Sequence, residues 1–119
     1  MNLSDAEAML RADPRIKPQP LHDELYELTF EARNGRQIAL NRKGSKTAVR
    51  LWIEKSIDPA TVGLSPDAEI KDYPAARKRA HLSASRLTGP YKKRSGNDAW
   101  YVALTSRSDL ARLLDAYVG

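Results

Sequence analysis

The stretch that most limits the fold is "ELYELTFEARNGRQIAL", residues 24–40. Tyr26, Leu28, Phe30 and Ala32 alternate with Glu27, Thr29 and Glu31. After Asn34-Gly35, Ile38 and Leu40 alternate with Gln37 and Ala39. A period of two is the mark of a half-buried strand, because successive side chains leave a strand on opposite faces. Asn-Gly between two such runs is the strongest short-range hairpin signal, since a two-residue type I′ turn needs positive φ at both central positions. "NRKGSK" makes the next turn around Gly44, and "TAVRLWIE" follows as a third strand. It carries Val49, Leu51 and Ile53 on one face and Arg50 and Trp52 on the other. Residues 24–54 therefore read as a three-stranded antiparallel meander.

The rest of the chain supplies one more strand and the helices. "LSDAEAMLRADP" predicts a helix over 4–12, started by a Ser4/Glu7 capping box and stopped before Pro14. "PRIKPQP" is too rich in proline for a helix or a central strand and reads as an extended connector. "SPDAEIK" has Ser65 at a helix start, Pro66 in the first turn and acidic residues after it. "AARKRAHLSASRL" reads as a further helix and "AWYVAL" as a fourth strand. The chain closes on a helix capped by Ser106 or Ser108, with Leu110, Leu113, Leu114 and Tyr117 at i, i+3, i+4 and i+7. The expectation is a single α+β domain over 1–119. Its small antiparallel sheet is the meander plus a C-terminal strand, with helices packed on one face.

Charge is where function enters. The net is +5, but it is uneven along the chain. Residues 1–32 carry −4, residues 33–50 +6, residues 51–70 −3, residues 71–94 +7 and residues 95–119 −1. Two basic blocks in an otherwise acidic chain point to a one-signed patch if folding brings them together. Arg33 and Arg36 flank the Asn-Gly turn, and Arg42, Lys43 and Lys46 crowd the next one. Arg50 projects from the third strand beside Trp52. If "AWYVAL" pairs beside that strand, Tyr101 shares the face of Trp52, and the preceding loop adds Lys92, Lys93 and Arg94. Arg77, Lys78, Arg79 and Arg86 lie on the basic helix and can contact phosphates or bases in a groove. Cations ringing an aromatic platform suit nucleic acid: charge neutralises phosphate, and stacking contributes roughly 1–3 kcal/mol per base. The expected partner is nucleic acid, with DNA favoured over RNA.

Other classes fit less well. There are no cysteines, which excludes disulfides, thiolate metal sites and a thiol nucleophile. His22 and His81 have no partner at ligand spacing. Asp58 with Glu69-x-Lys71 has the residue types of a Mg²⁺-dependent nuclease, but the stretch reads as helix and not as the adjacent strands such chemistry rests on. "NRKGSKT" ends like a phosphate-binding loop, but its glycine is misplaced and a strand follows. No enzyme, metal or cofactor is expected. The main alternative is a small inhibitor or adaptor that docks on a protein, such as a phage-encoded blocker of a host defence complex. No apolar run reaches the roughly 18–20 residues needed to cross a bilayer. Together with a start that lacks a leader pattern, this predicts a cytoplasmic location.

Overall fold

The computed structural model describes residues 1–19, 27–42, 47–73 and 99–119. In chain order the elements are α1 (Leu3–Ala12), β1 (Ile16–Gln19), β2 (Glu27–Ala32), β3 (Gln37–Asn41) and β4 (Val49–Ile53). A 3-10 turn (Pro59–Thr61), β5 (Glu69–Tyr73), β6 (Ala99–Leu104) and α2 (Arg107–Val118) follow. The strands form one six-stranded sheet in the order β1-β2-β3-β4-β6-β5, antiparallel throughout. The class is α+β. The four strands expected from the sequence are the four central ones, and the sheet exceeds the expectation by one strand at each edge.

The β2–β3 hairpin forms where the alternation predicts it, with Phe30 opposite Ile38 and Leu28 opposite Leu40. Its turn differs in type. The Gly35 N–H donates to the Ala32 carbonyl (2.8 Å), which centres the turn on Arg33 and Asn34. Gly35 follows at φ +88°, so the loop has three residues. A glycine in the left-handed region then leads the chain back to β3. The Asn34 amide donates to the Tyr117 carbonyl (3.0 Å), and its Oδ1 accepts from the Arg36 N–H (3.0 Å). Those two bonds make the three-residue form the better fit here.

Three expectations are corrected. "PRIKPQP" is not a plain connector, because Ile16–Gln19 pairs with β2 as the edge strand β1. "SPDAEIK" does not start a helix. The Ala68 N–H bonds the Ser65 carbonyl (3.1 Å) in a turn, and Glu69–Tyr73 continues as strand β5 against β6. Proline is as well suited to the second position of a turn as to a first helical turn, so pairing with β6 decides. In α1 the cap is Asn2 and not Ser4: its Oδ1 accepts from the Asp5 N–H (2.9 Å) and Asp5 reaches back. Glu7 instead pairs with Arg11 one turn on (3.3 Å).

The core lies between one sheet face and both helices. One row across the sheet is entirely apolar: Leu28, Leu40, Leu51, Val102 and Ile70. Ala6 and Leu10 of α1 and Leu110, Leu113, Leu114 and Tyr117 of α2 close over that face, all buried. The predicted stripe is therefore the packing stripe, and Ser106 is the cap, accepting from the Asp109 N–H (3.1 Å).

Polar side chains fasten the helix layer at both ends of α2. The Tyr117 hydroxyl donates to the Gln37 carbonyl and accepts from the Glu54 N–H (2.9 Å). The Glu54 carboxylate accepts from the Gln37 N–H (2.7 Å). These bonds take over where the β3–β4 ladder stops at Ile38–Ile53. At the other end the buried Asp109 carboxylate accepts from the Ser65 N–H (3.0 Å) and hydroxyl (2.6 Å). Arg112 holds the same loop through the Gly63 carbonyl (2.7 Å). Asp13 and Asp115 both take the Arg15 guanidinium, and Arg107 pairs with Asp5 (2.7 Å).

Candidate nucleic-acid interface

Period-two geometry sends Arg50 and Trp52 away from the helices, and the β4–β6 register sets Trp52 opposite Tyr101. The rings stack with centroids 4.2 Å apart and planes inclined by 29°. The expected strand neighbour and the shared face are both present. An open platform is not. Trp52 is 4% exposed, and Thr29 and Ala39 in the same row are buried too. Tyr101 is half-buried, and its hydroxyl accepts from the Asn41 amide (2.8 Å). Trp52 therefore offers no free face to a base. Alternation along a strand tells which side a residue takes, not how much solvent it meets there.

The described cations separate into two groups. Arg33 is exposed at the β2–β3 turn, and Arg42 is exposed after β3 at the opposite end of the sheet. Arg50 is half-buried near Arg42: one step beyond Leu40–Leu51, the register brings it opposite Asn41. Arg36 is committed to the fold. Its guanidinium donates to the Tyr117 carbonyl (2.9 Å) and sits 5.7 Å from that ring's centre, where a cation complements the end of α2. Lys43, Lys46, Arg77, Lys78, Arg79, Arg86, Lys92, Lys93 and Arg94 lie outside the described residues, as do His22 and His81.

One cation was missed. Lys71 is exposed on β5, directly across from Tyr101 and on the same face. The alternation in "EIKDY" carries that information, but the helix-start pattern before it obscures it. The strand assignment also removes one objection to a Mg²⁺ site, since Glu69 and Lys71 do stand on a strand. The carboxylates do not gather, however. Asp58 caps the 3-10 turn by accepting from the Ala60 N–H (3.0 Å), and Asp72 pairs with Lys55. Among the described residues no group of three His, Cys, Asp or Glu side chains could hold a metal. No helix among them is long and apolar enough to cross a membrane.

Charge is spread unevenly along the chain. The described residues carry eleven basic and twelve acidic side chains, while the remaining ones carry nine and three. Seven of those nine cations fall within 74–98, which holds Asp98 as its single acid. That segment leaves the sheet at Tyr73 and returns at Ala99, and these two residues are strand partners. The Arg33 turn lies at the same end of the sheet, where Ile38, Ile53 and Trp100 pair in sequence. β3 and β6 are two strand spacings apart there, about 10 Å. Compared with protein-family models, curated proteins and solved structures, the chain matches none.

Proposed function

We propose that this protein is a nucleic-acid-binding module, DNA favoured, that engages the phosphate backbone chiefly through the basic residues of segment 74–98. The observation that carries the reading is the charge distribution: seven cations and one anion within the 25 residues 74–98, against eleven cations and twelve anions among the described residues. Charge needed only for solubility has no reason to concentrate in one connection. A polyanion gives such a reason, because each phosphate contact releases a counterion. Arg33, at the sheet end where the segment begins and returns, extends the same field. With Trp52 buried, base stacking contributes little, and binding is expected to be nearly indifferent to sequence.

Electrophoretic titration with single- and double-stranded DNA and RNA at two salt concentrations tests this. If about six cations engage phosphate, the log–log salt slope on duplex is about −5. Changing Lys92, Lys93 and Arg94 together to Ala is expected to flatten it by about 2 to 3 and to weaken all sequences alike. Equal slopes would remove the loop from the interface. Absence of binding at low salt would overturn the proposal in favour of a protein partner.

A further inference from the structure

The two edges of the sheet are built differently, and hydrogen-bond parity shows how. In an antiparallel ladder, alternate residues direct both backbone groups to the same neighbouring strand. The Arg33 N–H bonds the Arg15 carbonyl (2.9 Å), and the Ala32 N–H bonds the Arg36 carbonyl (2.8 Å). So Arg33 faces β1 while Ala32 faces β3. The registers run without interruption across the sheet, which carries this alternation to both edges. In β1, Ile16 and Pro18 face outward. The Ile16 N–H is already bonded to the Asp13 carbonyl (3.1 Å), and proline has none. That edge presents no outward donor and cannot extend the sheet.

In β5 the same alternation turns Glu69 and Lys71 toward β6 and leaves the backbone groups of Ile70 and Asp72 facing outward. Among the described residues β5 pairs with β6 alone. No proline, glycine or bulge interrupts it; its shortness and its charged side chains are the features that limit which strand can pair there. Glu69, Lys71 and Asp72 are exposed, and Ile70 is half-buried against the core.

We propose that the outer edge of β5 pairs antiparallel with the same edge of a second copy of this chain, joining two six-stranded sheets about a two-fold axis. Charge complementarity selects both the occupant and the register. Parity allows three two-fold registers over this short strand. Centring on Lys71 sets lysine against lysine, and centring on Asp72 sets aspartate against aspartate. Centring on Ile70 sets Glu69 against Lys71 of the second copy, twice by symmetry, in close non-hydrogen-bonded positions. Ile70 then meets its own copy on the helix side of the sheet. The two Ile70 residues exchange a pair of backbone bonds, and each Asp72 N–H reaches the opposite Ala68 carbonyl. The Ala68 N–H is taken by Ser65 (3.1 Å), so the joint holds four backbone bonds and no more. The Asp72 carboxylate stays with Lys55 on the helix side. A self-complementary patch of this kind is what a closed two-fold dimer requires. The proposal does not rest on nucleic-acid binding.

Sedimentation equilibrium of the full chain, up to about 1 mM, reads the association directly. The wild type is expected to form dimers and no larger species. Glu69→Lys gives each copy two lysines at the joint, and Lys71→Glu gives each copy two glutamates. Either variant alone is expected to self-associate about tenfold more weakly or worse. Their equimolar mixture is expected to associate again as a heterodimer, and the double exchange E69K/K71E to regain self-association. Both side chains are exposed, so circular dichroism is expected to show an unchanged fold. A wild type that stays monomeric overturns the proposal. So do single variants that dimerise as the wild type does, or a mixture that gains nothing.

Discussion

Two neighbouring rows of the sheet run in opposite chemical directions. On the helix side, Leu28, Leu40, Leu51, Val102 and Ile70 form an unbroken aliphatic line beneath α1 and α2. On the other side, the adjacent row reads Thr29, Ala39, Trp52, Tyr101 and Lys71, from buried through half-buried to exposed. The side chains of the first row contribute through apolar burial and make no directional bonds of their own. The second mixes an aromatic stack, a hydroxyl-to-amide bond and an exposed cation. One face therefore carries stability, and the other grades from the buried centre of the sheet to the exposed Lys71 on β5.

The largest expected effect comes from the helix side. Leu113→Ala empties a site that is 1% exposed and is expected to cost about 2–5 kcal/mol in chemical denaturation. That is a large share of a domain total of roughly 5–15 kcal/mol. A loss below about 1 kcal/mol would mean that α2 is not the main cover of the aliphatic row.

The margin of the helix layer comes next. The Ser65 hydroxyl, first among the causes, holds the Asp109 carboxyl below the ordinary aspartate value, helped by the Ser65 N–H and by the Arg112 charge. A depressed folded pKa stabilises above the unfolded value, ~3.9, and that contribution is lost as pH falls through the folded value. Asp109→Asn is expected to cost about 1–3 kcal/mol at neutral pH. It is also expected to reduce the acid-side loss of stability below about pH 4. Asp13, held down chiefly by Arg15, keeps part of that slope in the variant. An unchanged acid limb in urea melts at several pH values would separate Asp109 from the acid sensitivity.

The smallest effect is expected on the other face. Tyr101→Phe removes the acceptor of the Asn41 amide from a half-buried position, a change of about 0.5–1.5 kcal/mol. Should it rival Leu113→Ala in the same denaturation assay, the distinction between the two faces would collapse.

Legibility followed how local the deciding interaction was. β2, β3 and β4 were readable because alternation is written into each short run, β6 because Ala99–Leu104 is a short apolar, aromatic-rich run, and α2 because Leu110, Leu113, Leu114 and Tyr117 stand at helical spacing. Ser65-Pro66-Asp67 was ambiguous because a β-turn and a helix start ask for the same residues. Pro18 disguised β1, since a proline is harmless only where the missing N–H would point outward, and no local pattern says where outward is. Asn2 and Ser4 are both competent caps. At the candidate site, the shared face of Trp52 and Tyr101 was readable only on the condition that β4 and β6 pair, and the tertiary structure supplies that pairing. The burial of Trp52 was not readable, and neither was the reach of Arg36 to a carbonyl 81 residues away.

Sequence alone determined which side chains share a face within each strand and which face of α2 is apolar. It also determined that the positive charge gathers in two blocks, residues 33–50 and 71–94. Periodicity and composition are properties of contiguous chain and survive any folding. Tertiary structure decided the insertion of β6 between β4 and β5, and with it the edge position of β5 and the outward direction of Ile70 and Asp72. It also decided that Arg36 caps a helix while Arg33 stays exposed. Strand order and hydrogen-bond parity arise from pairing between residues distant in sequence, where each partner sets the direction of the other.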